Sequence, residues 1–231
     1  MTAAIEFIAA EPSSVAATLD AGTIHLWRLP YARAQRRGPL RALLAAYLGI
    51  PATSVVLGAG VHGKPYLAHG TCDRRGAPQP LRFNWSHSGD YALLAIARDA
   101  DVEVGVDIER VDARRRGLEI AWRFFTHAEA QRLAALDDAA RALGFTKLWC
   151  AKEAVLKAAG EGLAFGLERI ACAWDGNAWT LSAIDAALGE LQLWRLRGFS
   201  AAAGYCAALA WHGNTAALPM RIDAFQPAAN G

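Results

Sequence analysis

Between Val102 and Glu109 the chain alternates. Val104, Val106 and Ile108 fall on one face of an extended segment, with Gly105, Asp107 and Glu109 on the other. The pattern predicts a strand whose two carboxylates stand side by side beyond a buried β-branched row. Strands are also predicted over Thr23 to Leu29 and Tyr91 to Ala97, and later near Ile170 to Trp174, Trp179 to Ala183, Leu191 to Leu196 and Ala203 to Trp211. From Leu143 to Ala159 the chain is rich in Ala, Leu, Lys and Glu, which predicts a helix. Trp149, Glu153 and Lys157 recur on it at i, i+4 and i+8 as one stripe. Further helices are predicted from Arg33 to Leu48, stopped by Gly49 and Pro51, and over Leu118 to Phe125 and Ala128 to Leu136. A Gly- and Pro-rich connection spans about Gly58 to Pro80, and the last stretch, 213–231, with Pro219 and Pro227, reads as a mobile tail.

With 231 residues and 54% hydrophobic content, the chain can bury a substantial core, as one large domain or two small ones. A net charge of +2 argues against nucleic acid as a partner. The basic residues are nevertheless clustered, at Arg33, Arg36, Arg37 and Arg41 and again at Arg110 and Arg114 to Arg116, which suits a phosphate or an acidic protein. The four cysteines, at 72, 150, 172 and 206, form neither a Cys-x-x-Cys unit nor a zinc pattern, so reduced thiols in the cytoplasm are expected. Cys150 has no Cys-His pattern around it and reads as a small buried hydrophobe. No secretory signal is read at the N-terminus, where Glu6 and Glu11 replace a basic region. The uncharged runs Ala42 to Gly63 and Gly198 to Met220 are interrupted by Gly, Pro and polar residues and are not membrane spans.

The chemistry of these residues points to phosphate. Mg²⁺ takes oxygen ligands and is usually held by one or two carboxylates together with substrate phosphates, a role open to Asp107 and Glu109. Glu153 supplies a third carboxylate, as ligand or general base, and Lys157 can neutralise charge growing on phosphoryl oxygens. On residue types alone the plainer readings stay open: an acidic solvent face, a surface Glu-to-Lys pair, a structural His87, and a simple turn at Lys64-Pro65.

Taken together and in order, Gly105-x-Asp107-x-Glu109 and Trp149-x-x-Lys152-Glu153-x-x-x-Lys157 resemble the hallmark of the surfactin-synthetase-type 4'-phosphopantetheinyl transferases. Gly63-Lys64-Pro65, Phe83-Asn84-Trp85-Ser86-His87-Ser88 and Arg123-Phe124-Phe125-Thr126 with Glu129 extend the resemblance, which runs from about Gly63 to Leu167. Trp85 and Cys150 depart from the usual residues without removing a charge. The resemblance implies transfer of the phosphopantetheinyl arm of coenzyme A to a serine of an apo acyl or peptidyl carrier protein, releasing adenosine 3',5'-bisphosphate. By position, Asp107, Glu109 and Glu153 become ligands of Mg²⁺, or of Mn²⁺ in its place, and Glu153 the base. Lys157 becomes the phosphate contact. Lys64 and Pro65 lie on the adenine side of coenzyme A, Ser86 and His87 meet its phosphates, and Arg37 and Arg41 face its 3'-phosphate. The implied fold is α+β, with two similar halves, 1–110 and 111–231, related by pseudo-twofold symmetry around a cleft in a monomer. A Mg²⁺-dependent phosphohydrolase and a non-catalytic module that binds coenzyme A or carrier protein are the competing readings.

Overall fold

The computed structural model describes residues 5–68, 81–98, 101–112, 116–175, 178–213 and 220–228. Strand β1 (Ile8–Ala10) and the short helix α1 (Pro12–Val15) lead into β2 (Thr23–Pro30) and helix α2 (Gly38–Leu48). The hairpin of β3 (Leu57–Ala59) and β4 (Pro65–Leu67) follows, then β5 (Arg82–Ser88), β6 (Tyr91–Ala97) and β7 (Val102–Arg110). Helices α3 (Gly117–Phe124), α4 (His127–Ala134) and α5 (Asp138–Ala159) precede β8 (Ile170–Trp174), β9 (Trp179–Ile184), β10 (Trp194–Ala202), β11 (Tyr205–Gly213) and β12 (Arg221–Pro227). The result is mixed α+β, as expected.

Two sheets organise it. One has five strands in the order β1-β12-β2-β6-β5 and the other three, β10-β11-β7. Between them lies a core built from Ile24, Leu26, Leu93 and Ala95 on one side and Val104, Val106, Ile108 and Leu209 on the other, so the β-branched row of β7 is buried as its alternation predicts. α2 covers the outer face of the five-stranded sheet through Leu40, Leu43, Leu44 and Leu48. α5 covers the outer face of β7 and β11, with Phe145, Leu148, Ala154 and Val155 in a third cluster.

The division expected at residue 110 is crossed twice by strand pairing. β7 pairs antiparallel with β11, and β12 enters the sheet of the first half, parallel to β1 and β2. The tail expected to be mobile therefore contains a strand near the middle of a sheet. Pro227 is the last residue of that strand and so leaves its ladder unbroken, while Pro219 lies outside the described residues. Two similar sequence stretches, Gly89 to Ala97 and Ala203 to Trp211, begin at the turns of the hairpins β5–β6 and β10–β11. Their tyrosines, Tyr91 and Tyr205, meet edge to face at 5.1 Å.

Local chemistry adjusts other boundaries. The helix expected from Arg33 breaks at Arg36, which takes a φ of 49°, and α2 restarts at Gly38-Pro39. α5 begins five residues earlier than expected, because the Asp137 carboxylate accepts the amide of Ala140 as its N-cap. Residues 191–193 form a 3-10 turn in place of the strand's first residues. β5 had no strand signal, since Asn-Trp-Ser-His-Ser lacks the β-branched residues that mark one. Cys72, Arg114, Arg115 and most of the expected connection lie outside the described residues.

Candidate functional site

Gly105 sets the site's geometry. A Cβ built there would stand 2.0 Å from the carbonyl oxygen of Ala154 and 2.3 Å from the amide nitrogen of Ala158, so only glycine lets α5 lie directly on β7. The face of β7 read as outer is thus covered by the helix. Asp107, two residues on, becomes buried, while Glu109 near the strand's end is half-buried.

Two side chains converge on Asp107 and on each other. Lys157 Nζ donates to Asp107 Oδ1 at 2.6 Å and to Ser86 Oγ at 3.0 Å, and Ser86 Oγ itself donates to Asp107 Oδ1 at 2.8 Å. β5 supplies the seam to β7 through alternate residues. Asn84 Oδ1 accepts the Val106 amide at 2.9 Å, and Ser88 Oγ donates to Glu109 Oε2 at 2.9 Å while accepting the Arg110 amide at 3.1 Å. The Asn-x-Ser-x-Ser alternation thus reads as one row of side chains that joins the two sheets.

Two buried carboxylate oxygens on this site, Asp107 Oδ2 and Glu153 Oε1, have no hydrogen-bond partner among the described residues. Buried oxygens of this kind are nearly always satisfied, which marks the pair as poised for a ligand. Burial, reinforced by the charges of Asp107 and Glu109 and opposed by Lys157, pushes Glu153 up to about 7. Burial disfavours the ammonium of Lys157, yet the charge and hydrogen bond of Asp107, aided by Glu153, outweigh it and push its pKa up.

These residues open onto a cleft of about 530 Å³. Asp107, Glu109, Glu153, Lys157, Ser86 and His87 all line it, together with Pro65 and Arg37. Trp149 lines it as well and is anchored against Phe145 and Phe125. His87 is exposed, stacks on Tyr31 at 4.5 Å, and is held below the usual imidazole range by partial burial and then by Lys157 and Arg33. Two candidates lie outside the cleft's lining. Lys64 turns its ammonium to Glu103 at 3.4 Å, an ion pair that Arg82 shares, and Arg41 stands exposed one turn along α2 from Arg37. Sequence reasoning had no signal for Tyr31 and Leu163 as cleft residues, because they reach it from separate elements; Trp85 was visible only as a departure within the motif that carries Ser86 and His87, and Arg36 only as part of a basic cluster.

Lys152, adjacent to Glu153 in the motif, points the other way. It is fully buried and pairs with Glu129 at 2.8 Å, so this lysine belongs to the core and not to the cleft.

Comparison with known proteins bears on the family of the chain. Residues 103–210 match the profile of the 4'-phosphopantetheinyl transferase superfamily, and residues 37–99 match the 4'-phosphopantetheinyl transferase N-terminal family. The 4'-phosphopantetheinyl transferase HetI of Nostoc sp. is 32% identical over 179 residues, covering 64% of this chain and 73% of HetI. A Synechocystis protein, slr0495, named provisionally for the same activity, is 38% identical over 132 residues, covering 57% of this chain and 50% of its own length. The human L-aminoadipate-semialdehyde dehydrogenase-phosphopantetheinyl transferase is 36% identical over 138 residues, 57% of this chain and 43% of that protein. The chain thus spans about half the length of the latter two and nearly three quarters of HetI. On these matches and on the motif residues gathered around one cleft, the chain belongs to the 4'-phosphopantetheinyl transferase superfamily.

Proposed function

We propose that this chain is a transferase of the surfactin-synthetase type, which moves the 4'-phosphopantetheine arm of coenzyme A to a serine of an apo acyl or peptidyl carrier protein and releases adenosine 3',5'-bisphosphate. The observation that carries this reading is the convergence of Asp107, Glu109, Glu153 and Lys157 on one cleft, with two buried carboxylate oxygens unpartnered among the described residues. Among the described residues no three acidic or imidazole groups are close enough together to form a ready-made metal cluster, and Lys157 sits on Asp107 instead. The donor set still fits Mg²⁺, or Mn²⁺ in its place: all three candidates are hard carboxylates, and two of them present free oxygens. Asp107, Glu109 and Glu153 would hold the ion, whose bound charge neutralises and orients a pyrophosphate.

The remaining work falls to the chain's own groups. Glu153 accepts the proton of the carrier serine as that oxygen bonds to the pantetheine-side phosphorus and the bond to the adenosine-bisphosphate oxygen breaks. Lys157 is one turn away on the same helix and faces the charge that develops on the phosphoryl oxygens. His87, Arg36 and Arg37 form a basic side of the cleft suited to the 3'-phosphate, and Pro65 packs on the adenine side. No enzyme nucleophile is needed, which agrees with a Cys150 thiol that burial, first of all, keeps protonated. The two tyrosine-led hairpins support an internal duplication, so the chain acts as a monomeric pseudo-dimer, in the cytoplasm. None of its described helices is long and apolar enough to cross a membrane.

The test is the intact mass of several apo carrier proteins after incubation with the chain, coenzyme A and Mg²⁺, with an EDTA control. A metal-dependent gain of one phosphopantetheine is expected, and Asp107→Ala should abolish it; coenzyme A consumed with no carrier modified would support the phosphohydrolase instead. His87→Ala should weaken coenzyme A more than dephospho-coenzyme A. Equal losses would remove His87 from the 3'-phosphate.

A further inference from the structure

A second cavity, of about 450 Å³, lies behind α5. Leu143, Lys147 and Ala151 line it at i, i+4 and i+8, whereas Trp149, Glu153 and Lys157 line the cleft. At 3.6 residues per turn the two stripes are roughly 120° apart around the helix, so the cavity and the cleft share α5 as a wall without sharing a side chain. The opposite wall comes from the β10–β11 hairpin, with Phe199, Tyr205 and Ala207, and Val111 and Trp179 close its ends. The size is that of a small-ligand site.

Its chemistry is one-sided. Burial pushes the Cys206 thiol up to about 11, so that sulfur stays neutral and serves as apolar wall. The Ser200 hydroxyl already donates to the carbonyl of Ala202 at 3.1 Å, with the carbonyl of Tyr205 also in reach. Lys147 is then the lone charge in the lining. It is half-buried, its ammonium lies 5.8 Å from the Trp174 ring, and it takes part in none of the ion pairs among the described residues. A lysine placed like this lays its aliphatic stem along the apolar wall and keeps its ammonium at the mouth, where it can meet a carboxylate. Among the described residues none supplies that counter-charge.

We propose that this cavity is a second ligand site, which takes a carboxylate on an apolar tail, the tail against Val111, Leu143, Trp179 and the Cys206 sulfur, on the face of β11 that α5 covers, and the head on Lys147. The wall beside it is β11, where Cys206 and Ala208 are the ladder partners of Glu109 and Asp107, so the occupant rests against α5, which carries Glu153, and against the strand paired with the one that carries Asp107 and Glu109.

Isothermal titration of the full chain with decanoate, decanol and decylamine, each below its micelle concentration, tests the assignment. Decanoate should bind one to one, decanol about tenfold more weakly for want of a charged hydrogen bond, and decylamine not at all. Lys147→Met keeps the aliphatic stem and should bring decanoate down to the level of decanol while leaving decanol unchanged. Ala151→Phe, which fills the cavity, should abolish both. If that variant fails to fold, Lys147→Met, at a half-exposed position, decides the question. Saturating coenzyme A should not compete. Equal binding of the three probes, several weak sites, no decanoate binding, an unaltered Lys147→Met titration or displacement by coenzyme A would each overturn the proposal, and none of these readouts depends on transferase activity.

Discussion

Helix α5 carries two lysine–carboxylate pairs five residues apart, and they are built to opposite specifications. In the first, Lys152 and Glu129 are 0% and 2% exposed and 2.8 Å apart. Lys152 Nζ also donates to the carbonyl of Leu167 at 2.9 Å and to that of Ile170, while Glu129 accepts the amides of Cys172 at 2.7 Å and Thr126 at 2.9 Å. Every strong donor and acceptor there is used. In the second, Lys157 and Asp107 are 26% and 5% exposed and 2.6 Å apart, and Asp107 Oδ2 and the neighbouring Glu153 Oε1 have no hydrogen-bond partner among the described residues. A closed pair fixes the positions of α4, α5 and the start of β8. An open pair, held on that frame, keeps free the oxygens that a substrate or cation can use.

The comparison predicts that breaking the closed pair costs most. Lys152→Ala leaves Glu129 as an uncompensated buried charge and should destabilise the chain by about 3–5 kcal/mol, read by urea unfolding. Lys152→Met combined with Glu129→Leu should recover only part of that loss, because it removes the uncompensated charge but takes the side-chain partners from the Cys172 amide and from the Leu167 and Ile170 carbonyls. A Lys152→Ala chain as stable as its parent would mean that the clamp is idle. Lys157→Ala should behave differently, costing about 1–2 kcal/mol in stability since water reaches the cleft, while transfer falls about 10²-fold as a positive charge is lost from the reacting phosphate. If the two variants lost equal stability, the distinction between closed and open pairs would fail.

Periodicity made the two elements of the site legible, because a strand's alternation and a helix's stripe are local properties. It also separated the buried row of β7 from its acidic row. What local pattern does not contain is the partner of each face. The acidic row looked solvent-facing, and the missing Cβ of Gly105, which lets α5 cover it, has meaning only once the helix is in place. Lys152 and Lys157 both belong to the motif, and their opposite fates depend on Glu129 and Asp107, which lie 23 and 50 residues away along the chain. Lys64 was drawn from the cleft by Glu103 for the same reason. β12 is illegible in the sequence since a parallel strand inserted between the first two strands of the chain leaves no local signature.

The smallest expected effect tests the open pair without any assay of transfer. Glu153 has an ordinary value of 4.5 and is pushed up to about 7 by burial and by Asp107. The folded state therefore holds this proton more tightly than the unfolded chain does. Its contribution to stability is complete below about pH 4.5 and is lost as pH rises through about 7, since ionisation then places a second charge beside Asp107. Glu153→Gln keeps the shape and removes the ionisation. Measured with EDTA present, the melting temperatures of parent and variant should nearly coincide at pH 5, and the variant should lead by pH 8. Solvent at the cleft discounts the shift to roughly 1–2 kcal/mol. A gap that does not widen with pH would show that Glu153 is already compensated in the folded chain. Its raised pKa, and with it the argument that this carboxylate waits for a proton or a cation, would have to be given up.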